Sequence, residues 1–337
     1  MIARALYGNH SHKIPPAPKK TISLMLSILI LIAGMLLLMI AGDILVRGSV
    51  GLADRMEINP LIIGLTVVAF GTSAPELFVS LQAAFDGVSG IAIGNVVGSN
   101  IANVLLVLGA PALLTAFHCS EKGIGISLAV MILLTVLLMA FMSTGTLGRI
   151  EGAVLLAVML GYLGWQIHRV RTDPKHAAVG TEDDDEIVVP DSTRKIAMFI
   201  AIGLVGLPIG AWLTVKGASD IARMFGASET AIGLTVVAIG TSLPELVTSV
   251  AAAWRRSGAV AIGNVVGSNI FNIGFILGTT SLVLPLQVDD RVIRVDMWVM
   301  LAVSLFVVAL AHWCLPLKKP AGVAMLLAFA LYIVTVF

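Results

Sequence analysis

The sequence predicts an all-α integral membrane protein of about ten transmembrane helices, built as two inverted five-helix repeats. Three observations carry that expectation. Charged residues make up 12% of the chain and apolar ones 58%, against roughly 25% charged in a soluble domain. Apolar runs recur along the whole length, as at 23–41, 124–142 and 295–313, and about 20 such residues span a bilayer as a helix. Third, a stretch of 47 residues occurs twice. Segments of about ten residues alternating apolar and polar are missing, so membrane strands are not expected.

Taken in order, the apolar segments fall at 23–41, 60–85, 91–116, 124–142, 150–167, 196–215, 229–254, 259–284, 295–314 and 320–337. Residues 1–22 form a polar tail with Lys13, Lys19, Lys20 and the pair Pro15-Pro16. No small-residue cleavage site follows the first apolar run, so it reads as an uncleaved first helix, with Met25 as an alternative start. The longest polar stretch, 168–195, separates a first repeat (23–167) from a second (196–337). Its acidic run, Glu182, Asp183, Asp184, Asp185 and Glu186, reads as a solvated loop. Loops after the odd-numbered segments carry 12 Lys/Arg and the internal loops of the other face 5. The basic face is expected in the cytoplasm, which puts 168–195 inside, both termini outside, and the protein in the inner (cytoplasmic) membrane.

Composition also narrows function. A net charge of +1 gives no reason to expect nucleic acid. Cys119 and Cys314 make no spaced metal or disulfide framework. The six histidines are scattered, and no metalloprotease, serine-hydrolase or phosphate-loop motif occurs. No enzyme activity and no cofactor are expected.

The repeated stretch lies at 63–109 and 232–278, offset by 169 without a gap, and 29 of its 47 positions are identical. The identities include Thr72/Thr241, Ser73/Ser242, Pro75/Pro244, Glu76/Glu245, Asn95/Asn264, Ser99/Ser268, Asn100/Asn269 and Asn103/Asn272. The copies begin five segments apart, an odd number, so they enter the membrane in opposite directions. That is the plan of secondary transporters, whose site lies at the midplane between repeats. Packing explains Gly94, Gly98, Gly263 and Gly267. It does not explain Glu76 and Glu245.

A carboxylate inside a membrane span costs at least about a few kcal/mol unless it is paired or lines a wet cavity. No Lys or Arg sits nearby in either span, so the partner is expected to be a cation from outside; two glutamates sharing a proton is the structural alternative. Each glutamate follows a proline, which removes a helical hydrogen bond and bends the helix. Thr72 and Glu76 are spaced to share one helix face, as are Asn95, Ser99 and Asn103 on the next segment, with the same pattern in the second copy. Carboxylate, amide, hydroxyl and backbone oxygens without thiol or imidazole suit calcium, sodium or magnesium. Two glutamates balance one divalent ion, and mixed oxygens on bent helices favour calcium over the tighter octahedron of magnesium.

The motifs GTSAPE and GTSLPE, each followed by GNVVGSN, resemble the two alpha-repeats of the calcium/cation antiporter superfamily, most closely its prokaryotic sodium/calcium exchanger branch. The resemblance implies that calcium and sodium ions are the transported partners, across the lipid bilayer, and that Glu76 and Glu245 are the central calcium ligands. By position it adds Thr72, Ser73, Ser99 and the carbonyl of Ala69, then Thr241, Ser242, Ser268 and the carbonyl of Ala238, with Asn103 and Asn272 one turn beyond the GSN serines. Many sodium-coupled relatives carry Asp at one of the last two positions; both are Asn here, which keeps a proton/calcium antiporter as the alternative. A passive cation channel fits less well, because filters are built as rings about a central axis.

Overall fold

The computed structural model describes residues 18–118, 121, 123–172, 189–226 and 238–336. Most of the polar tail, Cys119, the acidic run and residues 232–237 of the second copy lie outside the described residues. The remainder is helical almost throughout. Helix α1 spans Pro18–Met56, and α2 has two parts, Pro60–Thr72 and Ala74–Phe85. Then come α3 (Ser89–Leu114), α4 (Ile124–Met142), α5 (Arg149–Thr172) and α6 (Thr193–Met224). Helix α7 is described over Ala238–Thr241 and Leu243–Trp254. It is followed by α8 (Gly258–Val283), α9 (Val292–His312) and α10 (Lys319–Val336). Among the described residues, 7 of these are long and apolar enough to cross a membrane, and the bent α2 makes 8. Of the ten expected spans, that leaves α10, a shorter apolar helix, and α7, which is described only in part.

Two helices run well past their apolar segments, and charged side chains on the extra turns find partners. Expected to end near 41, α1 continues to Met56; Arg47 Nε lies 3.0 Å from Asp43 one turn earlier, and Arg255 at the end of α7 also pairs with Asp43. Expected to end near 215, α6 reaches Met224, with Lys216 5.0 Å above the Trp212 ring and Arg223 2.9 Å from Asp220. These are i,i+4 and i,i+3 pairs on the helix surface.

The antiparallel packing of α1 on α6 gives the relation between the halves. A Cβ at Gly48 would lie 3.0 Å from Ile200, and one at Gly217 would lie 2.6 Å from the Leu31 nitrogen. Adding 169 to the first glycine gives the second, and adding 169 to Leu31 gives position 200. A contact and its copy therefore exchange the roles of the two helices, as a two-fold axis between inverted repeats requires. In lipid, apolar surface gives no net drive for helices to associate, so close approach through small residues takes over; Gly203 and Gly210 of α6 bring its backbone against Leu45 and Leu38. The same exchange of roles recurs outside this pair, with the offset one residue longer, 170, between α5 and α10. Gly109 of α3 meets Gly322 of α10, and Gly278 of α8 meets Gly152 of α5. Tyr162 donates to Ser127 at 2.8 Å, and Tyr332 to Asp296 at 3.2 Å.

No strand enters the helical body among the described residues, but the loops hold four two-residue strands that composition does not reveal. They are β1 (Phe117–His118), β2 (Thr146–Leu147), β3 (Leu286–Gln287) and β4 (Pro316–Leu317). β1 pairs antiparallel with β4 and β2 with β3, Phe117 opposite Leu317 and Leu147 opposite Leu286. Each pair joins a loop of one half to a loop of the other. The loops after α3 and α9 thus share one face and those after α4 and α8 the other, in line with alternating spans.

The centre belongs to the repeated segments. The apolar window of α8 is 94% buried and that of α3 72%, against 22% for α1 and 28% for α6. Gly263 and Gly267 let α8 sit on the first part of α2, where any Cβ would press on Leu61, Leu65 and Ala69. The close-packing role expected of these two glycines is therefore filled. Gly94 and Gly98 have no described atom within 4 Å of their Cβ positions.

Candidate cation site

Both repeats break their helix one turn before the glutamate. α2 bends by 42° at Ser73, which takes φ −81° and ψ 5°; Ser242 of α7 takes φ −86° and ψ 3°. The prolines sit in the first turn of the helix that restarts there, Ala74–Phe85 and Leu243–Trp254, where the missing N–H has no intrahelical partner to lose. The expected bend is thus present, and its geometry adds something. Glu76 and Glu245 each lie in the first turn of a half-helix, where unpaired N–H groups and the helix dipole favour a negative charge.

All ten side chains expected at the site are buried: Thr72, Ser73, Glu76, Ser99 and Asn103 from the first copy, Thr241, Ser242, Glu245, Ser268 and Asn272 from the second. Both glutamates are essentially sealed, at 0% and 1% exposure, and interact electrostatically. The halves touch directly here. Ser73 Oγ donates to Glu245 Oε1 at 3.2 Å, and Thr72 Oγ1 to Asn264 Oδ1 at 3.2 Å. The Ala69 carbonyl accepts from Ser73 N–H at 3.1 Å and from Thr72 Oγ1 at 3.4 Å. In the second copy the Ser242 N–H goes instead to Ile239, at 3.2 Å; Ala238 opens the described part of α7.

Asn95 and Asn264 brace the hairpins identically. Each Nδ2 donates to the backbone carbonyl of its own glutamate at 3.2 Å and to a serine, Ser80 or Ser249, at 3.0 Å. The polar stripe of α3 therefore divides. Asn95 holds its own hairpin together, whereas Asn103 reaches across to Asn269 of α8 at 3.0 Å. Asn103 and Asn272 each open a π-helical turn, Asn103–Val107 and Asn272–Leu277. Such turns widen the helix and are frequent at functional sites.

Among the described residues, several buried oxygens here have no hydrogen-bond partner: both of Glu76, Oε2 of Glu245, Oδ1 of Asn103 and of Asn272, and the hydroxyls of Ser242 and Ser268. Buried polar atoms are nearly always satisfied, and an unpaired buried carboxylate is costlier still. The set is made of hard oxygens, two of the groups are carboxylates, and the described residues hold no cluster of three or more His, Cys, Asp or Glu. Its chemistry is that of a hard-cation site.

The family described as sodium/calcium exchanger protein matches residues 26–168 and again 195–337. The chain belongs to the sodium/calcium exchanger family. The exchanger is 35% identical to inner membrane protein YrbG of Escherichia coli (strain K12), over 90% of this chain and 94% of the other. It is 30% identical to the sodium/calcium exchanger MaX1 of Methanosarcina acetivorans, over 92% and 98%. Its fold matches a solved structure of the sodium-calcium exchanger NCX_Mj with a TM-score of 0.80 and 32% identity, covering 93% of this chain and 99% of that one. Membership makes it a multi-pass membrane transporter that works by cation exchange, in agreement with the antiporter resemblance of its two motifs.

Proposed function

We propose that the exchanger moves calcium out of, or into, the cell against sodium by alternating access, with both ions held in turn at a site between its inverted halves near the membrane midplane. One observation carries the reading. Two sealed glutamates from opposite repeats, one of them bonded by Ser73 of the other repeat, leave three of their four carboxylate oxygens without a partner among the described residues. Two negative charges balance one divalent ion. Calcium accepts six to eight flexible oxygen ligands, and Thr72, Ser73, Ser99, Asn103 and the Ala69 carbonyl, with Thr241, Ser242, Ser268, Asn272 and the Ala238 carbonyl, supply the neutral ones.

Alternating access follows from the symmetry and its local failure. Ser73 bonds Glu245, but the hydroxyl of its counterpart Ser242 and the carboxylate oxygens of Glu76 have no hydrogen-bond partner among the described residues. Two copies of one sequence in unequal arrangements are what a repeat transporter adopts at either end of its cycle. In the other state Ser242 would bond Glu76 and Ser73 would be released. By Lys/Arg placement, the 168–195 loop lies in the cytoplasm, with both termini outside, in the inner membrane.

Paired Asn103 and Asn272 keep the fixed charge at −2, a value that two protons would also balance, so proton/calcium exchange is the second reading. Calcium uptake into proteoliposomes holding the purified chain separates the two. Uptake driven by an outward sodium gradient and resistant to a protonophore is expected. Uptake driven only by an outward proton gradient would replace sodium with protons, and uptake needing no counter-gradient would point to a channel.

A further inference from the structure

Resting on that reading of the site, we infer that Asn100 and Asn269 are positioning residues that set the cation preference of Asn103 and Asn272 by fixing which end of each carboxamide faces the ions. Asn103 Nδ2 donates to Asn269 Oδ1 at 3.0 Å, and Asn272 Nδ2 donates to Asn100 Oδ1 at 3.2 Å. The two bonds are copies of each other, and each crosses between α3 and α8. Asn100 and Asn269 are in turn oriented from behind. Nδ2 of Asn100 points at the Met300 sulfur at 3.5 Å, and Nδ2 of Asn269 at the Met131 sulfur at 3.8 Å, with a further bond to the Asn100 carbonyl at 3.4 Å. Met131 and Met300 are also related by the 169-residue offset. A thioether offers lone pairs and no proton, so only the NH₂ end of each amide can face it, and Oδ1 is turned toward the neighbouring asparagine.

The consequence falls on the site. With Nδ2 held by its partner, each of Asn103 and Asn272 presents Oδ1, and both of those atoms are buried with no hydrogen-bond partner among the described residues. All four asparagines are at most 1% exposed. Without the clasp an amide is free to turn its NH₂ group toward the ions, which a cation site rejects. A carboxylate presents oxygen whichever way it turns and has no need of the clasp.

Calcium binding to the purified full-length chain, titrated with calcium chloride, tests this. Asn100→Leu removes the acceptor that holds Asn272, and Asn269→Leu the one that holds Asn103. Each is expected to weaken calcium binding roughly tenfold or more, the scale of one buried group left unpaired. Asn100→Asp keeps the acceptor and should hold calcium affinity within about threefold of the parent, or tighten it. Rescue should follow the pairing: Asn272→Asp restores binding in the Asn100→Leu background, and Asn103→Asp does not. Should the Leu variants not fold, Asn100→Ser and Asn269→Ser remove the same carbonyl and carry the same expectation. Unchanged affinity in the Leu or Ser variants, or rescue by either Asp alike, would overturn the clasp. Glu76→Gln keeps the two failures apart. If it abolishes binding while the asparagine variants behave as the parent, the site stands and the clasp falls; if it binds like the parent, the site itself is misassigned.

Discussion

In the proposed reading Glu76 and Glu245 are unfavourable to folding and required for cation binding, and both halves of that statement can be measured. Each carboxyl group is sealed from solvent, and a charge held there costs at least about a few kcal/mol in a membrane. Glu76→Gln or Glu245→Gln removes that cost and also one of the two charges a divalent ion would meet. The expected outcome is calcium affinity lower by roughly a hundredfold or more, the scale of a broken buried charge pair, with no loss of thermal stability in calcium-free detergent. Melting curves with and without calcium check both at once, because a ligand that binds only the folded state raises its melting temperature. A variant that still gains stability from calcium would remove its glutamate from the site. At this scale the sequence was informative: both glutamates, the threonines and the serines could be named from the repeat. Asn100 and Asn269 stood among the identities as well, but nothing in a linear pattern says that Asn100 meets Asn272 across 172 positions.

At the scale of elements, the broken helices and the α1–α6 pair do different work. The break at Ser73 and Ser242 starts a new helix beneath each glutamate, so the restart supplies a favourable dipole as well as a bend. Pro75 and Pro244 made the bend predictable, whereas its place one residue before the restarted helix is a matter of backbone geometry. The α1–α6 pair depends on glycine for another reason. A Cβ at Gly203 would lie 2.5 Å from the Leu45 Cβ and 2.9 Å from its Cα. Gly203→Leu should force the helices apart, with overpacking of the order of 1–3 kcal/mol. Lower thermal stability and loss of transport are expected, measured on detergent-solubilised protein and proteoliposomes; a variant with parental melting and transport would mean that this contact is not needed. The overrun of α1 to Met56 was not legible. Asp43 and Arg47 look like a loop in a hydropathy profile, but they pair with each other and with Arg255 while Leu45, Val46 and Val50 on the same turns are buried against α6 and its neighbours.

For the whole molecule, orientation is the prediction with the clearest test. In a Cys119→Ser, Cys314→Ser background, Thr181→Cys probes the long loop and Thr144→Cys the opposite face. A membrane-impermeant thiol reagent applied to intact cells is expected to label position 144 and spare 181, and the reverse pattern would invert the topology. Both loop bridges, Phe117 with Leu317 and Leu147 with Leu286, tie one half to the other at opposite faces. They limit how far the halves can separate, so under the proposed alternating access the motion that opens the site comes from elements outside them. The α1–α6 pair, in which α1 is the least buried candidate span among the described residues, is the element proposed for that motion.

By itself the sequence determined the helical membrane class, the duplication, its inverted sense from an odd number of intervening spans, and the residue types at the site. Each of these is written in composition, in period or in identity between copies, which are local properties of a chain. The tertiary structure alone decided which oxygens remain unpaired, that Ser73 rather than Ser242 holds a glutamate, and that two asparagines set the orientation of two others. Those facts arise where the two halves meet, between residues roughly 170 positions apart. A hydrogen bond depends on distance and angle in space, and the order of residues along the chain specifies neither.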